Sequence, residues 1–252
     1  MKFPVRNFLV LLFFIVSSCS GPYYLKETHT SQTRIKQDSL KAVDSVIVKM
    51  IAPFKQKLDA QMNEVIAVND VDLSKERPEG SLCNMAADAV LAYANKTYER
   101  PVDFCVLNYG GLRIPSISKG NITLGKIYEL MPFDNQLEVV EIDGKTCKQL
   151  LDVVAKSGGW PVSGVRMNIR QSLADSITFK GQLLDPNKTY TLVTSDYIVN
   201  GGDNITMLQN GKKRTPLNYK VRDAIIDYLR ELKNNNQTVN TKKDGRITIT
   251  QP

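Results

Sequence analysis

The sequence predicts an α/β fold with a mixed sheet, and three observations point to it. Short apolar runs, at 102–107 and 190–194, are bounded by polar residues and glycine, as buried strands are. Other stretches repeat apolar residues at helical spacing, as Leu82, Met85, Ala86, Ala89, Val90 and Tyr93 do. The two kinds alternate along the chain, with no repeat at a solenoid period. A length of 252 residues gives room for one sizeable domain with extensions.

The N-terminus reads first. Lys2 and Arg6 precede the apolar run 8–16 (FLVLLFFIV), which has secretory length and is too short to span a bilayer. It ends at Val16-Ser17-Ser18-Cys19, which resembles a bacterial lipobox; the plain alternative is a cleaved signal with an incidental cysteine. The lipobox predicts a lipoprotein signal peptide over 1–18 and a lipidated Cys19. Each buried CH₂ of an acyl chain contributes ~0.8 kcal/mol to membrane anchoring. The mature protein is then a lipid-anchored lipoprotein of the cell envelope, facing the periplasm or on the outer membrane. Residues 19–40 are a polar tether, and 41–252 the folded domain.

Charge and cysteines exclude some partners. The formal charge is +7, and removing Lys2 and Arg6 leaves 31 basic against 26 acidic residues, or +5. The basic residues are scattered, apart from Lys212, Lys213 and Arg214 and the pair Lys242 and Lys243. No basic stripe interleaves with aromatics, so nucleic acid is not the expected partner. Cys83, Cys105 and Cys147 are odd in number and never at CxxC spacing, which suits buried free thiols rather than zinc.

Val43, Val46, Met50, Phe54, Leu58, Met62 and Val65 predict one long amphipathic helix, kinked or divided at Pro53. Residues 65–71 suit a strand, and 74–80 a polar loop. Ser81 reads as the N-cap of the next helix. Asp88, mid-helix and off its most apolar stripe, is either a solvated carboxylate or one that pins a neighbouring loop. Residues 118–121 form a turn, 124–130 a short helix or turn, and 136–142 a strand ending in a turn at Asp143-Gly144. Cys147, Leu150, Leu151 and Val154 mark a helix, 158–164 a glycine-rich loop and 165–169 a strand. Val221, Ala224, Ile225, Tyr228, Leu229 and Leu232 give a last helix, and 246–250 a final strand.

Three loops carry the chemistry. Asn108-Tyr109-Gly110-Gly111-Leu112-Arg113 follows the first apolar strand. Glycine permits φ > 0 and leaves no Cβ in front of backbone N–H groups. An arginine at such a turn can fork onto a phosphate or carboxylate; the plain reading is a tight turn with a solvated arginine. Met131-Pro132-Phe133-Asp134-Asn135 sets a large apolar ring in a polar loop. The stretch from Ser195 through Tyr197 to Gly201-Gly202-Asp203 echoes the first loop. Two aromatics on separate loops can clamp a flat ring, at ~1–3 kcal/mol per stacked base. An aspartate beside Gly-Gly can accept from ribose hydroxyls. Together the loops describe a nucleotide or nucleoside pocket.

With Ser81-Leu82-Cys83-Asn84-Met85-Ala86-Ala87-Asp88-Ala89 and Ser163-Gly164-Val165-Arg166, these motifs resemble the C-terminal domain of the bacterial and animal 5′-nucleotidases, including the UDP-sugar hydrolases. They stand in the family's order from about residue 45 to Ile247. The resemblance implies a single domain of the four-layer α/β/β/α type, preceded by the long helix. By motif, Phe133 and Tyr197 sandwich the base, Asp203 binds ribose hydroxyls and Arg113 binds phosphate. Asn108 contacts the nucleoside, Asn135 and Gly164 shape the pocket, and Gly110, Gly111 and Gly202 belong to its loops.

The chain also departs from the family. Tyr109 stands where glycine is usual, which crowds the loop, and Tyr197 where phenylalanine is usual. Further arginines precede the first helix in the family, and here Lys75 and Arg77 stand near that place. Family members carry an N-terminal metallophosphoesterase domain whose two metals, roughly 3.5–4 Å apart, need several His and Asp ligands. This chain has one histidine, His29, in the tether. No catalytic residue, metal ligand or cofactor is therefore expected in it, and divalent metals are expected on a partner domain. The leading expectation is the nucleotide-binding half of a split 5′-nucleotidase, hydrolysing nucleoside 5′-phosphates with a separate metallophosphoesterase chain. The alternatives are a non-catalytic nucleotide-binding lipoprotein and an interaction domain whose pocket has drifted.

Overall fold

The structure is a computed structural model that describes residues 27–28, 30–31, 45–209, 211 and 213–250. The predicted signal peptide, Cys19, His29 and nearly all of the tether lie outside them. The chain divides into two compact units, Met1–Met50 and Ile51–Pro252. Helix α1 (Ser45–Met62) opens in the first and closes in the second, and none of its residues is buried. Pro53 forgoes one intrahelical hydrogen bond without ending the helix, so the predicted division does not occur.

Two small antiparallel pairs begin the second unit. β1 (Val65–Asn69) pairs with β5 (Gly120–Thr123), and β2 (Leu73–Ser74) with β4 (Ser116–Ile117). The main sheet has five strands: β3 (Phe104–Val106), β6 (Gln136–Asp143), β7 (Val162–Ser163), β11 (Thr189–Ser195) and β12 (Lys213–Lys220). Their order is β12-β6-β11-β3-β7, and β11 and β3 are parallel while the other neighbours are antiparallel. A second sheet, β10-β9-β8-β13, is built from β8 (Val165–Arg170), β9 (Leu173–Phe179), β10 (Gln182–Leu183) and β13 (Ile247–Ile249).

β3 is buried throughout, and β6 and β11 along most of their length, because both faces of the sheet are covered. Cys105, Leu137, Val139 and Val193 enter one core, with α2 (Ser81–Thr97), α3 (Leu124–Leu130) and α6 (Val221–Asn234). Phe104, Val106, Val140, Ile142 and Leu192 enter the other, shared with α4 (Gly144–Lys156) and the second sheet. This is the expected mixed α/β architecture. Cys83, Cys105 and Cys147 are buried free thiols, and burial pushes the Cys83 thiol up to about 11.

Several local expectations are corrected. Gly80, not Ser81, caps α2, and Ser81 Oγ instead accepts from Ser74 N–H at 3.0 Å. Asp143-Gly144 is no turn: Asp143 caps α4 by accepting from Thr146 N–H at 2.8 Å. Gly144 is required there, since a Cβ would stand 2.1 Å from Asp185 O. Asp88 is partly exposed and pins the C-terminal stretch, through a side chain rather than through backbone N–H groups. It receives both Nη atoms of Arg246, at 2.6 and 3.1 Å. Asn84 Nδ2 donates to Lys242 O at 3.1 Å, and Glu79 accepts from Asp244 N–H at 2.7 Å and Gly245 N–H at 3.0 Å. The start of α2 therefore fastens the C-terminal stretch that delivers β13.

That fastening is testable. The Arg246 side chain is 11% exposed and the Asp88 side chain 31%, so Arg246→Met leaves a partly buried carboxylate without its partner. Urea unfolding should show a loss of about 2 kcal/mol. A loss within about 0.5 kcal/mol, as for a surface pair, would show that the link is not structural.

Candidate functional site

Parallel strands end at the same edge of a sheet, and that edge is where α/β proteins place ligands. β3 and β11 both finish there, leading into loops 107–113 and 196–205. β6 runs antiparallel to β11 with Leu137 opposite Ser195, so the loop before β6 arrives at the same edge. The three loops enclose a cleft of about 400 Å³. Asn108, Gly110, Gly111, Arg113, Phe133, Asn135, Tyr197 and Asp203 line it, together with Leu107, Met131, Ser195 and Val221.

In the first loop, Tyr109–Gly111 form one 3-10 turn, with Gly111 N–H donating to Asn108 O at 3.0 Å. Neither Gly110 nor Gly111 has positive φ, contrary to the usual reason for Gly-Gly. What counts is the missing Cβ at Gly111, which would stand 2.8 Å from Asn108 Oδ1. Arg113 Nη1 donates to Gly110 O at 3.2 Å, and its guanidinium lies 5.7 Å from the Phe133 ring centroid. Tyr109 does not line the cleft, so the expected crowding is absent. Its ring carries Lys75 at 4.1 Å and Arg77 at 4.2 Å. Burial lowers the Lys75 ammonium below its usual value; Arg113 and Arg77 lower it further, and Cys83 opposes them. None of the three cations has an ion-pair partner among the described residues.

The second loop is held from beneath by Arg222. Its Nη1 donates to Met131 O at 3.2 Å and Phe133 O at 3.3 Å, and its Nη2 to Asp134 Oδ1 at 2.6 Å. Its guanidinium stacks 4.2 Å from the Tyr128 ring centroid. Lys220 and Arg222 together hold the Asp134 carboxyl below the usual carboxylate range. Phe133 is left 43% exposed at the cleft. Asn135 Nδ2 donates to Asp196 Oδ1 at 3.0 Å, tying the second loop to the third.

The third loop starts with α5 (Asp196–Val199) and turns through Gly201, at φ +100°. Gly202 lies against the Tyr197 ring, where a Cβ would come within 2.4 Å of Cε1. The Tyr197 ring is 42% exposed. Its hydroxyl donates to Asp203 Oδ1 at 3.1 Å.

Eight of the ten residues picked from the sequence as substrate-binding thus line one cleft, and Gly202 supports Tyr197 from behind it. Gly164 lies apart, in a second cleft with Arg166, Lys180 and Asp244. Its φ is +77° and a Cβ would stand 2.3 Å from Asp103 O. It carries the chain from β7 into β8 and does not shape the aromatic cleft. Arg222 escaped the sequence reading; its one signal was a charge beside Val221 and Ala224 on an apolar helix face. No group of three His, Cys, Asp or Glu able to hold a metal exists among the described residues.

Comparison with known proteins places this architecture. The family model described as 5′-nucleotidase, C-terminal domain, matches residues 57–210, more than half of the chain. An apyrase of Tabanus yao is 28% identical over 236 residues, covering 81% of this chain and 41% of that protein. Protein UshA of Yersinia enterocolitica is 33% identical, over 64% of this chain and 30% of that protein. The crystal structure of a 5′-nucleotidase precursor from Thermus thermophilus superposes with a TM-score of 0.70 at 30% identity, over 83% of this chain and 44% of that one. The chain thus spans less than half the length of each of these proteins. By its family match, its α/β architecture and the order of its motifs, the chain belongs to the 5′-nucleotidase C-terminal domain family.

Proposed function

We propose that the cleft binds a nucleoside 5′-phosphate. The base lies between Phe133 and Tyr197, the ribose hydroxyls meet Asp203, and the phosphate meets Arg113, with Lys75 and Arg77 adding positive potential nearby. Asn108 and Asn135 contact the nucleoside from the two sides. Gly110 and Gly111 keep one wall low enough for the ligand to approach, and Gly202 lets the third loop close against the back of Tyr197. The observation that carries this reading is one cleft holding two half-exposed aromatic rings, an arginine with no carboxylate partner and an aspartate with no cation partner among the described residues. Two such rings exposed to water on neighbouring loops leave apolar surface that a flat ligand would cover.

In this proposal the chain supplies binding and a separate metallophosphoesterase polypeptide supplies the two metals and the hydrolysis. Support comes from the donor set. A two-metal centre needs several His and Asp ligands, whereas this chain has His29 alone and no donor cluster among the described residues. No chemical step is assigned to this chain's side chains. The same donor set also favours a second reading, capture of nucleotides without hydrolysis. In either case the domain is anchored to the cell envelope through lipid on Cys19.

Three outcomes are expected. The isolated chain does not hydrolyse AMP with Mn²⁺, and adding a secreted metallophosphoesterase partner restores hydrolysis; full activity of the chain alone, or none with any partner, rejects the split enzyme. By calorimetry, Phe133→Ala weakens adenosine and AMP alike by roughly tenfold, as loss of a stacking face should; unchanged affinity removes the base from this cleft. Arg113→Ala weakens AMP by about tenfold and adenosine by less than about twofold; equal losses would place the phosphate elsewhere.

A further inference from the structure

Stacking uses the face of the Tyr197 ring and has no need of its hydroxyl. That hydroxyl is nonetheless engaged twice. It donates to Asp203 Oδ1 at 3.1 Å and accepts from Asp203 N–H at 3.3 Å. A phenol has one proton to donate, so its donor capacity is spent on the carboxylate. It is also the one side-chain donor to Asp203 among the described residues.

The backbone is shaped around this contact. Asp203 and Asn204 hold left-handed conformations, at φ +51° and +63°, shortly after Gly201 at +100°. Non-glycine residues take such conformations at a cost that surrounding contacts must offset. Gly202 brings the loop close enough to the ring for the hydroxyl to reach Asp203, since any Cβ there would enter the ring.

We propose that Tyr197 is a positioning residue which, through its hydroxyl, fixes the Asp203 carboxylate to accept from a vicinal diol. The cleft thereby selects ribonucleosides and ribonucleotides with both the 2′- and 3′-hydroxyls free over their deoxy forms. The inference rests on the nucleotide reading of the cleft and adds to it the source of its sugar specificity. An ionised carboxylate offers about four lone-pair positions. Tyr197 occupies one on Oδ1, leaving Oδ2 and the remainder of Oδ1 for two hydroxyls. Without the phenol the carboxylate turns on a broad torsion and loses its set direction. A deoxy sugar leaves one oxygen without a donor, the condition under which a polar site rejects a ligand most strongly.

Calorimetry on the full chain with adenosine, 2′-deoxyadenosine, 3′-deoxyadenosine and adenine tests this. The wild-type protein should bind adenosine at least about tenfold more tightly than either deoxy form. Tyr197→Phe keeps the ring and should reduce that preference to within about twofold, weakening adenosine more than adenine. Tyr197→Ala removes the ring and should weaken all four ligands. A Tyr197→Phe protein that keeps the wild-type preference, or that loses adenine and adenosine equally, overturns the role of the hydroxyl and leaves the nucleotide reading standing. A folded wild-type protein that binds none of the four overturns both. Thermal melting confirms that each variant is folded. If Tyr197→Phe is not, the wild-type panel decides: equal affinity for adenosine and its deoxy forms overturns the proposal.

Discussion

β3 and β11 lie side by side and parallel in the middle of the main sheet, Leu192 against Phe104 and Val193 against Cys105. Their pairing is secured at both ends. Asp103 N–H donates to Thr191 O and Thr191 N–H to Asp103 Oδ2, each at 2.9 Å. At the other end the buried Thr194 hydroxyl donates to Val106 O at 2.6 Å. Because the strands are parallel, the loops that follow them must leave by one edge. Because β6 is antiparallel to β11, the loop that precedes it arrives at that edge. Strand direction alone thus brings Arg113, Phe133 and Asp203 to one cleft from distant parts of the sequence. An antiparallel β3 would send Arg113 out at the far edge, and the cleft would lose its cationic end.

Strand ends place the loops but do not order them. A loop that is mobile before binding must be ordered at the moment of binding, which subtracts from affinity. Arg222 carries much of that ordering in advance. Its Nη atoms take the carbonyls of Met131 and Phe133 and the Asp134 carboxylate, three acceptors that no strand ladder satisfies. The arrangement has a cost. Arg222 Nε is buried without a hydrogen-bond partner, and the Asp223 carboxylate is 3.9 Å away. A buried unpaired donor costs about 1–3 kcal/mol, so the fold gives up stability to hold Phe133 at the mouth of the cleft.

The sequence discloses elements whose burial is one-sided or complete and hides those where it is neither. Helical stripes and the apolar central strands were legible, because their side chains repeat as the core requires. β12 was not, because it is an edge strand: Lys213, Arg214 and Pro216 are tolerated where one side of the ladder faces solvent. β9 was not, because Ser176 sits at φ +51° and the register with β8 slips, which breaks the alternation of Ala174, Ile177 and Phe179. The site was more legible than the strands around it. Aromatic and charged residues in glycine-bearing loops stand out against a core-forming background. Arg222 stayed hidden because its partners lie about ninety residues upstream, and no local pattern announces them.

The two Gly-Gly loops show how far such legibility reaches. In the sequence they are echoes, each a strand end, an aromatic, two glycines and a charge. In the structure they work by different physics. Gly201 supplies a left-handed backbone and Gly202 makes room for the ring of Tyr197, which is turned toward the cleft. Gly110 and Gly111 keep ordinary backbone angles, and Gly111 alone is pressed, against Asn108. Tyr109 packs away from the cleft, and its hydroxyl donates to Lys75 O at 3.3 Å. A tyrosine that reads as an intrusion into the loop therefore becomes a platform, gathering Lys75 and Arg77 on the loop that ends in Arg113. Positive charge accumulates at the one end of the cleft that has an arginine and no carboxylate, which is where an anionic group on the ligand would be drawn.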